Sequence, residues 1–461
     1  MSYHDFIKTK LFELKKTGFE CGDLSPMLFD YQKDLVRWAL NMGRCALFTM
    51  TGTGKTIMQC EWAKRVQEKT QGSVLLVSPL AVSSQTIREG KKIGLEIRYC
   101  KNQSEVKSGI SITNYERLES FTPGYFTGIV LDESSILKSF TSSTRDMLVH
   151  NFKDVQYKLA CTATPAPNDF MELGNHAEFL NVMTRNEMLS MFFVHDGGDT
   201  SKWRLKGHAA TKFWQWVASW AAILNKPSDL GYSDKGFDLP PLNVHNLTVS
   251  STANSEFLFA MEAQTLEERR AARKDSLSDR VKICADMVNE SKEPFLVWCD
   301  LNSESEMLRK LIKGAVEVKG SDDSEYKEKS LLLFSDNQIR VLISKPSICG
   351  HGMNWQHCNK MAFVGLSDSF EQYFQAVRRC WRFKQTKPVD VYVITSEAEG
   401  AVVNNIKRKE ADAMRMIMSM VEHTSRFVKD NIKSGVKMDR SYEPGKDMVI
   451  PAWLKSEQGE Y

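Results

Sequence analysis

Short apolar runs recur through the first third of the chain, and stretches with helical periodicity separate them. The runs occupy residues 45–48, 73–79, 111–115, 128–133 and 157–162. This alternation predicts a parallel β-sheet with helices on both faces. Polar residues gather at the carboxyl ends of the runs, which is the edge where open α/β sheets bind ligands.

A second series of apolar runs begins near residue 245. Its strand candidates are 295–298, 340–344, 361–365 and 389–394, and its helical stretches are 254–290, 303–312 and 397–433. A chain of 461 residues has room for two or three domains. The pattern therefore predicts an α/β fold with two parallel-sheet domains in tandem, at 1–170 and 241–433, and an irregular tail at 434–461.

The region between the two series, 171–240, is rich in Trp and Phe. Its apolar positions 213, 216, 217 and 220 fall at helical spacing, which favours packing in a core over a platform for stacking bases. The pair Pro240 and Pro241 is typical of a linker. We therefore expect a helical insertion between the two domains.

Composition narrows the class of protein only a little. The net charge of +3 favours no particular partner, so a nucleic-acid site would have to be a local basic surface. None of the ten cysteines is spaced as CxxC, which favours reduced core thiols over zinc or disulfides. The first ten residues do not resemble a signal peptide, and no apolar run approaches the ~20 residues of a membrane span. We expect a cytoplasmic protein with no membrane partner.

The segment 49–56 is typical of a phosphate-binding P-loop, because it lies between a predicted strand and a predicted helix. Gly52 and Gly54 let backbone N–H groups face a phosphate, and the following helix adds the positive end of its dipole. Lys55 can reach the β- and γ-phosphates, and the Thr56 hydroxyl can ligate Mg²⁺. The predicted ATP-binding residues of the loop are Thr51, Gly52, Thr53, Gly54, Lys55 and Thr56.

Two other polar positions fit beside this loop. Gln32 ends an aromatic-rich turn upstream, where its amide can read the edge of an adenine. Asp132 and Glu133 end the apolar run 128–133. Asp132 can hold Mg²⁺, and Glu133 can orient and deprotonate the water that attacks the γ-phosphorus. The alternative for the acidic pair is a polar strand end at a solvent edge.

The ordered motifs resemble those of superfamily 2 helicases, and within them the Swi/Snf-type branch of double-stranded DNA translocases, especially its phage and prophage members. The matches are Gln32 for the Q motif, 51–56 for motif I, Ser78 with Gln85 for motif Ia, 113–115 for motif Ib, 132–135 for motif II, 162–168 for motif III, 350–356 for motif V and 375–385 for motif VI. The sequence departs from the usual motifs at Thr49, where a glycine is expected, at Ser134 and Ser135, and at Phe383 and Lys384.

The resemblance implies two RecA-like domains that face each other across a cleft. It implies catalytic roles for Glu133, Arg379 and Arg382, whose spacing of three is expected to place both arginines on one helix face. The residues implied to couple the domains are Thr162, Ala163, Thr164 and Gln375. Those implied to follow the DNA backbone are Ser78, Gln85, Thr113, Tyr115, Lys138 and Asn354. Trp355 either packs in the core or contacts DNA.

The resemblance also implies DNA-stimulated ATP hydrolysis coupled to movement on duplex or branched DNA, with Mg²⁺ as cofactor. Replication or recombination proteins would be its partners, in the host cytoplasm if the chain is phage-encoded. Lysine and aromatic residues in 186–224, including Lys202, Arg204 and Lys206, predict that this segment engages DNA or a partner. The alternatives are a strand-separating or RNA-directed helicase of the same superfamily, and a nucleotide-gated DNA-binding module with vestigial turnover.

Overall fold

The computed structural model describes residues 16–138, 142–167, 169–196, 199–249, 274–349, 353–367 and 369–434. Parts of the predicted features lie outside these ranges: the stretch 254–290 before residue 274, residues 350–352 of motif V, Asn168 of motif III and the tail from 435. No helix within the described ranges is long and apolar enough to cross a membrane.

The first half of the chain builds a seven-stranded sheet whose neighbouring strands all run parallel. The strands of this half are β1 (Arg44–Thr49), β2 (Ser73–Ser78), β3 (Ile97–Tyr99), β4 (Ile110–Asn114), β5 (Phe126–Asp132), β6 (Tyr157–Thr162), β7 (Phe193–Asp196), β8 (Asp199–Leu205) and β9 (Ala221–Leu224). The order across the sheet is β3-β4-β2-β5-β6-β1-β9. Every residue of β2 and β6 is buried, because helices cover both faces of the sheet.

The helices of this half alternate with the strands, as the sequence predicts. They are α1 (Asp30–Met42), α2 (Lys55–Thr70), α3 (Ser83–Lys92), α4 (Ser143–His150), α5 (Leu173–Phe179), α6 (Arg185–Phe192) and α7 (Ala210–Trp220). The P-loop follows β1, and the acidic pair of motif II ends β5. Because neighbouring parallel strands end at the same edge, these segments meet at the carboxyl edge of the sheet.

The region 171–240 differs from the expected helical insertion, because it also contains strands. β7 and β8 form an antiparallel hairpin, and β9 pairs in parallel with β1 at the edge of the first sheet. β9 could not be recognised from the sequence, because it is a short apolar run that directly follows the apolar residues of α7. Phe213, Trp216 and Trp220 on that face are buried, which agrees with the expected packing in a core.

The second half builds a six-stranded, all-parallel sheet in the order β10-β15-β14-β11-β13-β12. Its strands are β10 (Leu242–Val249), β11 (Phe295–Cys299), β12 (Val316–Val318), β13 (Val341–Ser344), β14 (Lys360–Val364) and β15 (Val389–Ser396). Its helices are α8 (Leu277–Glu290), α9 (Asn302–Leu311), α10 (Ser324–Ser335), α11 (Pro346–Cys349), α12 (Phe370–Val377) and α13 (Gly400–Ser434). Two parallel-sheet α/β domains of RecA-like type are thus present, with additional helices.

Helix α13 joins the two halves of the molecule. It leaves β15 of the second sheet, and its far end packs Val428 and Ile432 into the core of the first half. The His423 ring stacks on Trp214 of α7 at 5.5 Å between centroids. The charged run 397–433 is therefore a bridge whose apolar side is shared between the two domains.

Candidate functional site

The P-loop needs glycine at two positions for its backbone to turn toward a ligand. Gly52 and Gly54 have φ of +92° and +82°, a region that side chains with a Cβ rarely adopt. A Cβ on Gly54 would lie 2.3 Å from Nε2 of Gln32. Gly54 is also the N-cap residue of α2, so the N–H groups of the first helical turn face the loop.

The side chains of Lys55 and Thr49 form hydrogen bonds within the P-loop. The Lys55 ammonium donates to the carbonyl oxygens of Thr49 at 2.7 Å and of Met50 at 3.3 Å. The Thr49 hydroxyl lies 2.9 Å from the hydroxyl of Thr53, which explains the threonine at a place where the motif usually has glycine. Burial lowers the pKa of Lys55, and the nearby carboxylates of Glu133 and Asp132 oppose this.

Gln32 lies against the P-loop, where protein groups engage both ends of its amide. Its Nε2 donates to the carbonyl oxygen of Thr53 at 2.8 Å and lies 3.3 Å from the Tyr31 hydroxyl. Its Oε1 accepts from the backbone N–H of Phe29 at 2.9 Å. The side chain is buried, so in this structure Gln32 holds the loop. Contact with an adenine stays a prediction.

The acidic pair of motif II lies at the end of β5. Oδ1 of Asp132 accepts from Nε2 of Gln59 at 2.8 Å, and Oε2 of Glu133 accepts from the Thr162 hydroxyl at 3.3 Å. Burial, together with the charge of Glu133, raises the pKa of Asp132 to about 6. A divalent cation would relieve this buried cluster of negative charge, and carboxylate and hydroxyl oxygens are the ligands that Mg²⁺ prefers. The residues present therefore fit a magnesium ion, which Asp132 and Thr56 would hold.

Motif III connects to the same carboxylate. Thr162 lies at the end of β6, and its hydroxyl oxygen accepts from the backbone N–H of Thr164 at 3.2 Å while it donates to Glu133. Ala163 and Thr164 are buried. The structure thus links Thr162 directly to Glu133 and Thr164 to it through Thr162, and Ala163 lies between these two in the chain.

The arginines of motif VI do not lie on a helix face, which corrects the expectation from their spacing. Helix α12 ends at Val377, and Arg379 and Arg382 follow in the turn beyond it. Arg379 donates to the carbonyl oxygen and to Oε1 of Gln375, at 2.9 and 3.0 Å. Gln375 therefore anchors the Arg379 guanidinium within the second domain.

The two arginines face the nucleotide-binding edge of the first domain. Burial lowers the pKa of Arg379 to about 10, and the charges of Glu133 and Asp132 oppose this. Burial and the charge of Arg379 lower the pKa of Arg382 to about 9. The next residue, Phe383, approaches the P-loop so closely that a Cβ on Gly52 would lie 3.1 Å from the Phe383 backbone nitrogen. The two domains therefore meet at the P-loop.

Several residues predicted to follow DNA lie inside the first domain. Ser78, Thr113 and Tyr115 are buried. The Ser78 hydroxyl lies 3.1 Å from that of Ser83, and the Tyr115 hydroxyl donates to the carbonyl oxygen of Asp132 at 2.7 Å. In this structure these side chains support the strand ends, and a direct contact with a phosphate would require them to move.

The remaining DNA candidates have mixed placements. Gln85 and Asn354 are half-buried. Lys138 forms an ion pair with Glu371 of the second domain, so its charge is already matched across the cleft. Trp355, for which the sequence left two alternatives, packs in the core, and its Nε1 donates to the Ser335 hydroxyl at 3.0 Å.

The basic residues of 186–224 give little support for DNA contact. The Lys206 ammonium donates to the backbone carbonyl oxygens of Ser190 at 2.8 Å and Met191 at 3.2 Å. It therefore stabilises the end of α6. Arg204 is exposed, and the side chain of Lys202 lies outside the described positions.

Sequence reasoning missed Gln59 and a cluster of three aromatic rings that the structure adds to the site. Gln59 lies one helical turn after Lys55 on α2, and this spacing could have identified it as a partner for the motif II carboxylate. Phe237 stacks on Phe383 at 4.7 Å, and Phe29 meets both rings. No sequence pattern links three aromatic residues so far apart in the chain.

Comparison with known families agrees with this two-domain site. Residues 25–167 match the family described as type III restriction enzyme, res subunit. Residues 279–384 match the family described as helicase conserved C-terminal domain. No curated protein matches the chain. The two family matches indicate a superfamily 2 helicase, which hydrolyses a nucleoside triphosphate and binds nucleic acid.

Proposed function

We propose that the protein is a DNA-stimulated ATPase that couples hydrolysis to movement along duplex or branched DNA. One observation carries this proposal: Arg379 of one domain lies near the acidic pair of the other, and Phe383, which follows Arg382, packs against the P-loop. A site divided in this way is complete only when the domains are together. Domain closure and opening can then be linked to the nucleotide cycle.

The first domain supplies the groups that bind the nucleotide. The backbone N–H groups around Gly52 and Gly54 cradle the phosphates, and Lys55 exchanges its carbonyl partners for the β- and γ-phosphates. Asp132 and Thr56 would hold Mg²⁺, which would neutralise charge on the phosphate oxygens. Glu133 accepts a proton from the attacking water, and its bond to Thr162 keeps the carboxylate turned toward that position.

The second domain supplies Arg379 and Arg382 to the transferring phosphoryl group. Their positive charges stabilise the negative charge that spreads over its oxygens. The Nε–H of Arg382 has no hydrogen-bond partner among the described residues, so a buried donor is free to bind a phosphate oxygen. Gln375 couples this end of the site to α12, whose first turn carries Glu371, the partner of Lys138.

DNA is the favoured nucleic acid for two reasons. The motif pattern resembles the Swi/Snf-type translocases, especially phage members, and the family matched by the first domain is described as a restriction enzyme subunit. Gln85, Lys138 and Asn354 are half-buried, whereas the other proposed DNA contacts are buried. The proposed partners are replication or recombination proteins. The proposed location of the protein is the cytoplasm.

A panel of nucleic acids tests the proposal. The ATPase rate is measured with linear duplex, forked and four-way DNA, with single-stranded DNA and with RNA, each at saturation. The proposal predicts that duplex or branched DNA stimulates the rate most. Greater stimulation by RNA or single strands would favour the strand-separating or RNA-directed alternative. No turnover with any of them would favour a nucleotide-gated DNA-binding module.

A further inference from the structure

A buried histidine lies against both loops of the nucleotide site. His176 belongs to α5, outside every motif, and its side chain is fully buried. Its Nε2 lies 3.2 Å from the hydroxyl of Ser134, the residue that follows Glu133. Its ring forms a T-shaped contact with that of Phe48, 5.0 Å between centroids, at the end of the strand that leads into the P-loop. One imidazole therefore contacts the strand ends that present motifs I and II.

The residue before it on α5 holds the same turn. Nδ2 of Asn175 donates to the carbonyl oxygen of Leu137 at 2.6 Å and lies 3.4 Å from that of Lys138. Asn175 is also fully buried. His176 and Asn175 thus fix the beginning and the end of the 3-10 turn Ser134–Lys138, which continues directly from motif II.

This support is needed because the backbone of Glu133 is strained. Its φ is +55°, in the left-handed region that a residue with a Cβ adopts only when its surroundings impose it. The hydrogen bond from Thr162 holds the Glu133 carboxylate. The bond between Ser134 and His176 holds the backbone on the following side. Ser134 is also one of the positions where motif II departs from the usual helicase sequence, and the structure gives its hydroxyl a partner.

We propose that His176 is a positioning residue for ATP hydrolysis, which acts through Ser134 to hold Glu133 in its strained, reactive orientation. The proposal rests on the proposed ATPase function. It assigns part of the 171–240 region to nucleotide chemistry. Burial lowers the pKa of His176 to about 4, so the ring is neutral at neutral pH and one nitrogen is available for the Ser134 bond.

The test uses the full chain with four substitutions. His176→Leu and Ser134→Ala each remove the hydrogen bond between the two side chains. The double variant lacks the same single bond, so it loses no further interaction of this kind. His176→Gln keeps a polar nitrogen near the place of Nε2. Leu180→Ala weakens the same buried region without touching Ser134, and it is the control for loss of stability. The measurements are kcat and KM for ATP with saturating duplex DNA, and the melting temperature.

We expect His176→Leu and Ser134→Ala each to lower kcat by about tenfold, the effect of one lost buried hydrogen bond, with KM unchanged. The double variant should be no slower than either single variant, and His176→Gln should recover most of the rate. The inference is overturned if kcat is unchanged, if the two losses multiply, or if Leu180→Ala lowers kcat equally at an equal loss of melting temperature. If the unaltered protein does not hydrolyse ATP, the proposed function itself fails and the inference falls with it.

Discussion

Arg379 and Arg382 both donate a hydrogen bond to the carbonyl oxygen of Met353, each at 3.2 Å. Two guanidinium groups, that of buried Arg379 and that of half-buried Arg382, are thereby held side by side, although like charges repel. Such a pair is stable when an anion can lie between or in front of the charges. The shared carbonyl thus preorganises the second domain for a phosphoryl group.

Replacement of either arginine by Ala should abolish most DNA-stimulated turnover. The expected loss is roughly 10³–10⁵-fold in rate, the range known for arginine fingers. ATP affinity should change little, because the first domain makes most of the nucleotide contacts. Arg378→Ala is the matched control, because that guanidinium lies over Trp381 at 4.2 Å and faces Glu410. A stimulated rate above about a tenth of the parent's in both variants would show that the second domain does not complete the site.

Lys55→Ala should remove ATP turnover and leave the fold intact. The Lys55 ammonium donates hydrogen bonds only to backbone carbonyl oxygens of its own loop among the described residues, so its loss breaks no hydrogen bond outside that loop. A phosphate-release assay measures ATP turnover, and a thermal melt checks that the variant is folded. A folded variant with the parent's rate would refute the assignment of the P-loop.

Glu133→Gln should bind ATP and Mg²⁺ but fail to hydrolyse ATP. The amide oxygen can still accept from Thr162, while an amide cannot take a proton from water. Binding of a fluorescent ATP analogue and single-turnover hydrolysis separate the two properties. Loss of binding together with turnover would make Glu133 a metal ligand or a structural residue instead of the base.

Lys158 makes the stability of the first domain depend on pH. Burial and nearby Arg44 lower its pKa from the ordinary value to about 7. The folded state therefore binds fewer protons than the unfolded state between pH about 7 and about 10, so stability should rise with pH in that window. Below it, Lys158 is charged in both states and contributes no slope.

Urea unfolding at several pH values measures this effect. Lys158→Met should lose the rise in the free energy of unfolding that the parent shows above neutral pH. Lys153→Met, which changes an exposed lysine on the same segment, should keep it. Identical pH slopes in the parent and Lys158→Met would contradict the account. The Lys158 ammonium also donates to the carbonyl oxygen of Phe179 at 2.8 Å, and Lys158→Met loses this bond. The test therefore compares how the free energy of unfolding changes with pH, and not its value at one pH.

The sequence predicted the parts of the fold that periodicity and loop chemistry determine. Both parallel sheets were expected, and the P-loop and motif II lie at the carboxyl edge of the first sheet as predicted. These features are readable because a strand buried on both faces is a continuous apolar run that ends abruptly in polar residues.

The sequence could not say which polar side chains reach solvent. Thr113 lies in a strand whose residues are all buried, so its motif position does not make it a surface contact. Lys138 has a partner, Glu371, that lies in the other domain, and only the packed fold brings the two together. His176 was missed for the same reason, because no spacing links α5 to Ser134.

The displacement of a third strand from a DNA triplex tests the central claim most directly. A protein that moves along the duplex must displace the third strand bound to it. The account predicts displacement by the parent protein with ATP and Mg²⁺, and none by Glu133→Gln or by either arginine variant. It would be contradicted if the parent hydrolysed ATP at its full DNA-stimulated rate and left the third strand in place.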